Sequence, residues 1–273
     1  MVQEEKTMNK TVSSRIKTKN EQGQLAFIPF VVAGDPDEET CKKVLIGLQN
    51  AGADVIELGI PYSDPLADGP VIQLAAKRAL KAGASLKKSI QMIDSLKEKL
   101  KVPVVIFTYY NPVLSYGLEN FIKDVKKAGF SGILVPDLPV EEAEDLIRLT
   151  EDNDLELIML VTPTSGDDRI KKITGVSRGF IYLVSITGVT GARSSFSEHI
   201  EASLSKLKQY TDKPVCVGFG ISKPEHIDQL KQLKASGAIV GSGIIKIIEE
   251  NLNDPDIIVS EVETYVKSLI DHC

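Results

Sequence analysis

Eight short apolar, β-branched runs recur along the 273 residues, and this recurrence constrains the fold more than any other feature. They read FIPFVV, ADVIEL, VPVVIF, GILVPD, ELIMLV, FIYLVS, PVCVGF and GAIVGS, beginning near residues 27, 53, 102, 132, 156, 180, 214 and 237. Near-continuous apolar runs of this length suit parallel strands covered on both faces. Between them lie helical patterns, among them 38–50, 85–100, 118–128, 141–151 and 224–235. Helices are expected to stop at Ala51-Gly52, Ala128-Gly129 and Ser236-Gly237, because glycine takes the left-handed conformation that ends a helix. Strict alternation of strand and helix implies right-handed crossovers and a parallel sheet. An open doubly wound sheet is the alternative, but it rarely has eight evenly built units. The length matches a single closed barrel of about 250 residues. The reading is an α/β fold, a (β/α)₈ TIM barrel forming one domain over 1–273, with an extra N-terminal helix.

Two intervals between runs are stretched: 59–101 after the second and 185–213 after the sixth. In a barrel, the loops that follow strands form the active-site face. These two long loops are therefore where function is sought first.

Composition removes several classes. The net charge is −6, and no basic stretch interleaves with aromatics, so nucleic-acid binding has no electrostatic support. Cys41, Cys216 and Cys273 stand apart, as do His199, His226 and His272. That is neither a disulfide framework nor a zinc site, and it fits a reducing compartment. The apolar runs are too short to span a bilayer. The opening MVQEEKTMNK has no apolar core, and Glu4 and Glu5 argue against a transit peptide. A soluble protein acting where it is made is expected.

The sharpest local signal is ADVIELGIPYSDPLADGPVIQ, residues 53–73. Side chains alternate along a strand, so Val55, Glu57 and Gly59 share one face and Ile56 and Leu58 the other. Ile56 and Leu58 suit the outer helices, which turns Glu57 into the barrel near its mouth. A carboxylate there is unfavourable unless paired or used. Desolvation would raise its pKa, as a general acid–base requires; a buried ion pair is the other reading. Asp68 lies eleven residues on, in a loop restrained by Pro61, Pro65, Gly69 and Pro70, and Asp64 shares that loop. Taken alone, either aspartate suits a turn or a helix cap as well as catalysis.

The segment ELGIPYSDPLADGPVIQ resembles the signature of the tryptophan synthase alpha family. Further similarity runs from FIPFVVAGDP through YYNPVLSYG, LVPDLPVEE, VSITGVTGAR and GFGIS to GSGIIKIIE, nearly the whole chain. The resemblance implies cleavage of indole-3-glycerol phosphate to indole and glyceraldehyde 3-phosphate, with Glu57 as acid–base and Asp68 against the indole nitrogen. It implies an α₂β₂ complex with a beta subunit, to which the loop holding Pro61 and Asp64 communicates. It implies no cofactor in this chain, pyridoxal phosphate belonging to the beta subunit. Some members of the family are free-standing indole-releasing lyases with the same catalytic residues. The expected compartment is the cytoplasm or a plastid stroma.

Glycine-bearing turns follow the last three runs: 187–193, 218–222 and 241–244. Barrels often hold phosphate there, on backbone N–H groups and the N-terminus of a short helix, and 243–250 suits that helix. The family pattern assigns the glycerol-phosphate end to Gly191, Gly220, Gly241, Ser242 and Gly243. It assigns the indole pocket to Phe30, Tyr109, Leu134, Tyr182 and Phe219, with Thr190 in the closing loop and Asp137 in contact with it. Arg193 fits an exposed charge on that loop and is not assigned to phosphate.

The strand runs also limit the chemistry. Schiff-base aldolases need a lysine inside the barrel and metal aldolases a histidine cluster, and none of the eight runs contains either residue. A retro-aldol cleavage here would use the substrate's own electron sink, an indole ring protonated on carbon, with carboxylates moving the protons.

Overall fold

In the computed structural model the described residues are 11–185, 193–218 and 220–273, with the backbone alone for 193–199. Eight parallel strands close into a ring in sequence order: β1 (Ala26–Val32), β2 (Ile56–Gly59), β3 (Val104–Phe107), β4 (Gly132–Leu134), β5 (Glu156–Val161), β6 (Ile181–Val184), β7 (Val215–Gly218) and β8 (Gly237–Val240). β1 pairs with both β2 and β8, so the sheet has no free edge. The expected barrel is the observed one.

The strands carry two apolar surfaces. Odd positions of β1 and even positions of β2, such as Val31, Ile56 and Leu58, pack outward with Ile106 and Leu183 beneath the helices. The opposite parity, including Ile28, Phe30, Val55, Val105, Phe107, Leu134, Ile158 and Tyr182, fills the interior. Fully buried aliphatic side chains such as Ile106 each stabilise by about 1.5–3 kcal/mol.

The helices are α1 (Val12–Glu21), α2 (Glu38–Ala51), α3 (Pro70–Lys81), α4 (Leu86–Leu96), α5 (Tyr110–Tyr116), α6 (Leu118–Ala128), α7 (Glu144–Asp152), α8 (Asp167–Val176), α9 (Arg193–Leu207), α10 (Pro224–Gln232), α11 (Ser242–Glu250) and α12 (Pro255–Ile270), and all but α1 follow the strands around the barrel. Their ends follow local chemistry. The Asp37 carboxylate accepts from the Thr40 N–H at 2.9 Å to start α2, and Gly52 and Gly129 close α2 and α6 at φ +106° and +97°. Three expectations are corrected. Gly237 does not stop a helix: α10 ends before Leu233, Lys234 takes the left-handed turn at φ +56°, and Gly237 opens β8. It is glycine because a Cβ there would lie 2.7 Å from the Cys216 sulfur. The 85–100 helix stops at Leu96, and the 141–151 pattern divides into a short 3₁₀ turn at Val140–Glu142 and α7.

The extra N-terminal helix closes the end of the barrel where strands begin. Val12 and Ile16 of α1 join the interior cluster, both fully buried. The Ser13 N–H and hydroxyl donate to Glu156 at the start of β5, and Asn20 Nδ2 donates to the Ser236 carbonyl at 2.8 Å, just before β8. Arg15 and Lys19 face Asp54, just before β2, at 3.2 and 3.7 Å. The other end carries the loops that follow the strands. The stretch of chain after β2 is long because it holds an additional helix, α3, and the 61–69 loop leading into it. Among the described residues no helix is long and apolar enough to cross a membrane.

Candidate active site

Strand parity places Glu57 inside the barrel, level with Phe30 of β1 and Val105 of β3 in the ladder register. It is fully buried, and neither carboxylate oxygen has a hydrogen-bond partner among the described residues. Among the described residues the ion-pair alternative has no partner. With burial unopposed, the carboxyl is pushed from its ordinary 4.5 up to about 8. Tyr182 of β6 and Cys216 of β7 are ladder neighbours that feel the Glu57 charge, and burial followed by that charge raises both of their pKa values.

Two glycines make room for this interior. A Cβ at Gly59 would sit 2.4 Å from the Phe30 ring, and one at Gly218 would sit 2.1 Å from the Tyr182 hydroxyl oxygen. Both rings can therefore lie across the mouth above Glu57. Phe107 meets Phe30 edge-on, with centroids 5.4 Å apart.

Asp68 comes to the same mouth from the loop. It does not cap α3, whose N-cap is Gly69, without a side-chain bond. Its carboxylate instead accepts a hydrogen bond from Tyr109 at the end of β3, a bond that lowers its pKa. Burial raises it more, to about 6. The Tyr109 hydroxyl also accepts from the Ala67 N–H at 3.0 Å, so one side chain holds two consecutive loop residues. Tyr109 packs on Tyr62, with centroids 5.4 Å apart, and the Tyr62 hydroxyl accepts from Asn111. Asp137 takes a different post: its carboxylate accepts from the Tyr110 N–H at 2.9 Å, at the start of α5.

Phe30, Leu134 and Tyr182 share one interior cluster, Phe30 is level with Glu57, and buried Tyr109 bonds Asp68, so the structure brings these four expected pocket residues to the two carboxylates. Pro61 is buried, while Asp64 and Leu66 face solvent, Leu66 being 88% exposed. Leu114 of α5 is also exposed. Gly220 bears φ +83°, which explains its identity. Gly241 is the N-cap of α11, Ser242 its first residue, and Gly243 lies in its first turn. Thr190, Gly191 and Phe219 lie outside the described residues.

Sequence reasoning missed Cys216 and Phe107. Both were available from parity, since Cys216 precedes Gly218 by two and Phe107 follows Val105 by two. Among the described residues, no group of three His, Cys, Asp or Glu side chains could hold a metal ion.

What the arrangement offers is a lone buried acid of raised pKa among aromatic side chains, a second carboxylate on the loop that follows its strand and a helix N-terminus directly after the last strand. Comparison with known proteins identifies the family. The family model described as tryptophan synthase alpha chain matches residues 16–272. The tryptophan synthase alpha chain of Prochlorococcus marinus subsp. pastoris is 48% identical over 253 residues, 93% of this chain and 90% of its own. The crystal structure of tryptophan synthase subunit alpha from Legionella pneumophila superposes with a TM-score of 0.87 at 31% identity, covering 96% of this chain and 97% of that one. A chain of the tryptophan synthase complex from Pyrococcus furiosus gives 0.82 at 35% identity, over 90% and 98%. A closed eight-stranded barrel, a mouth built around Glu57 and a match spanning nearly every residue place the chain in the tryptophan synthase alpha chain family.

Proposed function

We propose that the chain cleaves indole-3-glycerol phosphate to indole and glyceraldehyde 3-phosphate, as the lyase subunit of a tryptophan synthase. The observation that carries the reaction is Glu57, a buried carboxyl with no partner and a pKa raised to about 8. At neutral pH it enters the reaction protonated. It gives that proton to the indole ring carbon that bears the side chain, which makes the ring an electron sink. It then takes a proton from the adjacent glycerol hydroxyl. The carbon–carbon bond breaks as the hydroxyl becomes the aldehyde, its electrons pass into the ring, and Glu57 ends protonated as it began. Asp68, ionised above about pH 6, faces the positive charge that develops at the indole N–H. Phe30, Tyr109, Leu134 and Tyr182 enclose the ring, and water exclusion strengthens both carboxylate roles.

The phosphate is held across the mouth by Gly220, Gly241, Ser242 and the first N–H groups of α11, where the helix dipole favours an anion. By their place in the family pattern, Gly191 joins this phosphate site, Phe219 the indole pocket and Thr190 the loop that closes over the substrate.

The partner is a beta subunit carrying pyridoxal phosphate, in an α₂β₂ assembly; this chain's own step needs no cofactor. Exposed Leu66 and Leu114 beside the Pro61–Asp64 stretch supply an apolar docking surface of the kind that should be covered in a complex. The cytoplasm or a plastid stroma is the proposed compartment. The test is indole release from indole-3-glycerol phosphate, with and without a beta subunit. Strong stimulation supports the subunit reading. High activity without a partner supports a free-standing lyase, and no cleavage in either case refutes the reaction.

A further inference from the structure

The phosphate-binding turns come from separate parts of the chain, and a residue on the outer layer joins two of them. Tyr265 of α12 donates its hydroxyl to the Ser222 carbonyl at 2.9 Å, at the end of the turn that follows β7. The other backbone group of Ser222, its N–H, donates to His226 Nδ1 at 3.3 Å. Side chains of α12 and α10 thus engage both polar groups of the residue that ends this turn.

The same hydroxyl reaches the first turn of α11. A Cβ at position 243 would lie 2.2 Å from the Tyr265 oxygen and 2.9 Å from its Cζ. Real Cβ atoms do not approach that closely, so residue 243 and the tyrosine compete for one space. That space belongs to α12, in the outer layer. Tyr265 is half-buried, and burial pushes its hydroxyl up to about 12, so it stays a donor through neutral pH.

We propose that Tyr265 is a positioning residue for the phosphate end of the substrate, its hydroxyl tying the Ser222 turn to the first turn of α11, and that Gly243 is glycine to admit that hydroxyl. This rests on the phosphate-binding reading above and changes one part of it. Gly243 acts through its packing partner, whereas the sequence suggested direct approach of its backbone to the anion. A hydrogen bond to a turn carbonyl and a filled Cβ space together fix the relative position of two anion-facing segments, and small displacements there weaken binding without touching the reacting carbon.

The experiment compares Gly243→Ala, Tyr265→Phe and the double variant in the full chain. kcat and KM are read with indole-3-glycerol phosphate, and glycerol 3-phosphate binding is read by calorimetry. Gly243→Ala is expected to raise KM about tenfold through overpacking, with kcat within about twofold and glycerol 3-phosphate weakened in parallel. Tyr265→Phe, which loses one hydrogen bond, is expected to raise KM about threefold. The double variant should recover part of the Gly243→Ala loss, to a KM about threefold to fivefold above the parent, because the oxygen at 2.2 Å is gone while the ring carbon at 2.9 Å still crowds the new methyl. A purely structural role would instead give additive losses in thermal midpoint and kcat. An unchanged KM in Gly243→Ala, or no recovery in the double variant, overturns the proposal. If Gly243→Ala does not fold, Tyr265→Phe decides alone: a KM rise at constant kcat supports the tie, and an unchanged KM overturns it. A parent chain that binds glycerol 3-phosphate but releases no indole refutes the lyase reading and leaves the calorimetric arm to test Tyr265. A parent that does neither overturns both.

Discussion

At the closed end of the barrel, Asp54 is 1% exposed; it accepts from the Phe27 N–H at 3.0 Å and from Arg15 at 3.2 Å, with Lys19 at 3.7 Å. Three residues on, towards the end where loops follow the strands, Glu57 is just as buried and accepts from nothing among the described residues. Glu156, at the start of β5, repeats the closed-end pattern by accepting from the Ser13 N–H and hydroxyl. Burial raises the pKa of Asp54 and Glu57 alike, but only Asp54 has donors that pull it back. Stability alone would favour an apolar side chain at position 57. The contrast separates carboxylates held by donors of the fold from one that no described residue holds, and it can be attacked from either end.

The largest effect belongs to Glu57→Gln, which keeps the shape and removes the proton. kcat for indole release is expected to fall about 10³-fold, while substrate affinity, measured by calorimetry on the inactive variant, stays within about twofold. Near-normal turnover would end the assignment. Stability supplies a second reading. The unfolded chain releases the Glu57 proton near 4.5, whereas the folded chain holds it to about 8. The contribution is fully present below 4.5 and is lost as pH rises towards 8. The parent should therefore lose stability across that window relative to Glu57→Gln, by an amount on the order of a few kcal/mol. Superimposable stability curves for the two proteins would show that Glu57 is not a lone buried acid.

Asp68→Asn comes next, at about 10²-fold in kcat, the scale of one electrostatic contact to a developing charge. Its mechanism shows in the pH profile of kcat/KM. If Asp68 acts ionised and Glu57 protonated, as proposed, activity should fall as pH drops through about 6 and again as pH rises through about 8. Asp68→Asn should remove the acid limb and keep the alkaline one. Loss of both limbs, or of neither, would detach Asp68 from the reaction.

The two ends were unequally legible in the sequence. Glu57 could be placed by parity alone, because Ile56 and Leu58 claim the outer face, and 118–128 is the helix α6 that its pattern predicts. Asp68 could not, since turn chemistry accounts for an aspartate in that loop as well; in the fold its side chain turns to Tyr109 and leaves α3 uncapped. The closed end was less legible still. Ser13 and Glu156 are 143 positions apart, and nothing local in either segment announces their pairing. The glycines at the mouth were misleading in a specific way. Sequence shows that a side chain is missing, but not which neighbour fills the space. Gly59 and Gly218 turn out to admit Phe30 and Tyr182, and Gly237 admits Cys216 where a helix stop was expected.

At the closed end, Asp54→Ala should act on stability and not on catalysis. It strands the Phe27 N–H without its side-chain acceptor, whereas Arg15, 35% exposed, can return to water. A loss of about 1–3 kcal/mol in chemical denaturation is expected. The surviving folded enzyme should keep kcat/KM within about twofold. A catalytic defect larger than the population of unfolded chain explains would mean that the closed end communicates with the mouth.

The smallest effect, and the finest test of the contrast, is Tyr109→Phe. Tyr109 is the donor at the mouth that does for Asp68 a little of what Arg15 and the Phe27 N–H do for Asp54. Removing its hydroxyl takes away the one hydrogen bond that opposes burial at Asp68. It also frees the Ala67 N–H, while the packing on Tyr62 stays. The acid limb of kcat/KM should therefore move above about 6, with a drop of about three- to tenfold at neutral pH, as expected for one hydrogen bond. The Ala67 loop faces solvent, so its freed N–H can be hydrated, and the thermal midpoint should barely change. If Tyr109→Phe instead lowers the midpoint as Asp54→Ala does and leaves the limb in place, the mouth is held together by the same kind of structural hydrogen bond as the closed end. The contrast would then rest on Glu57 alone.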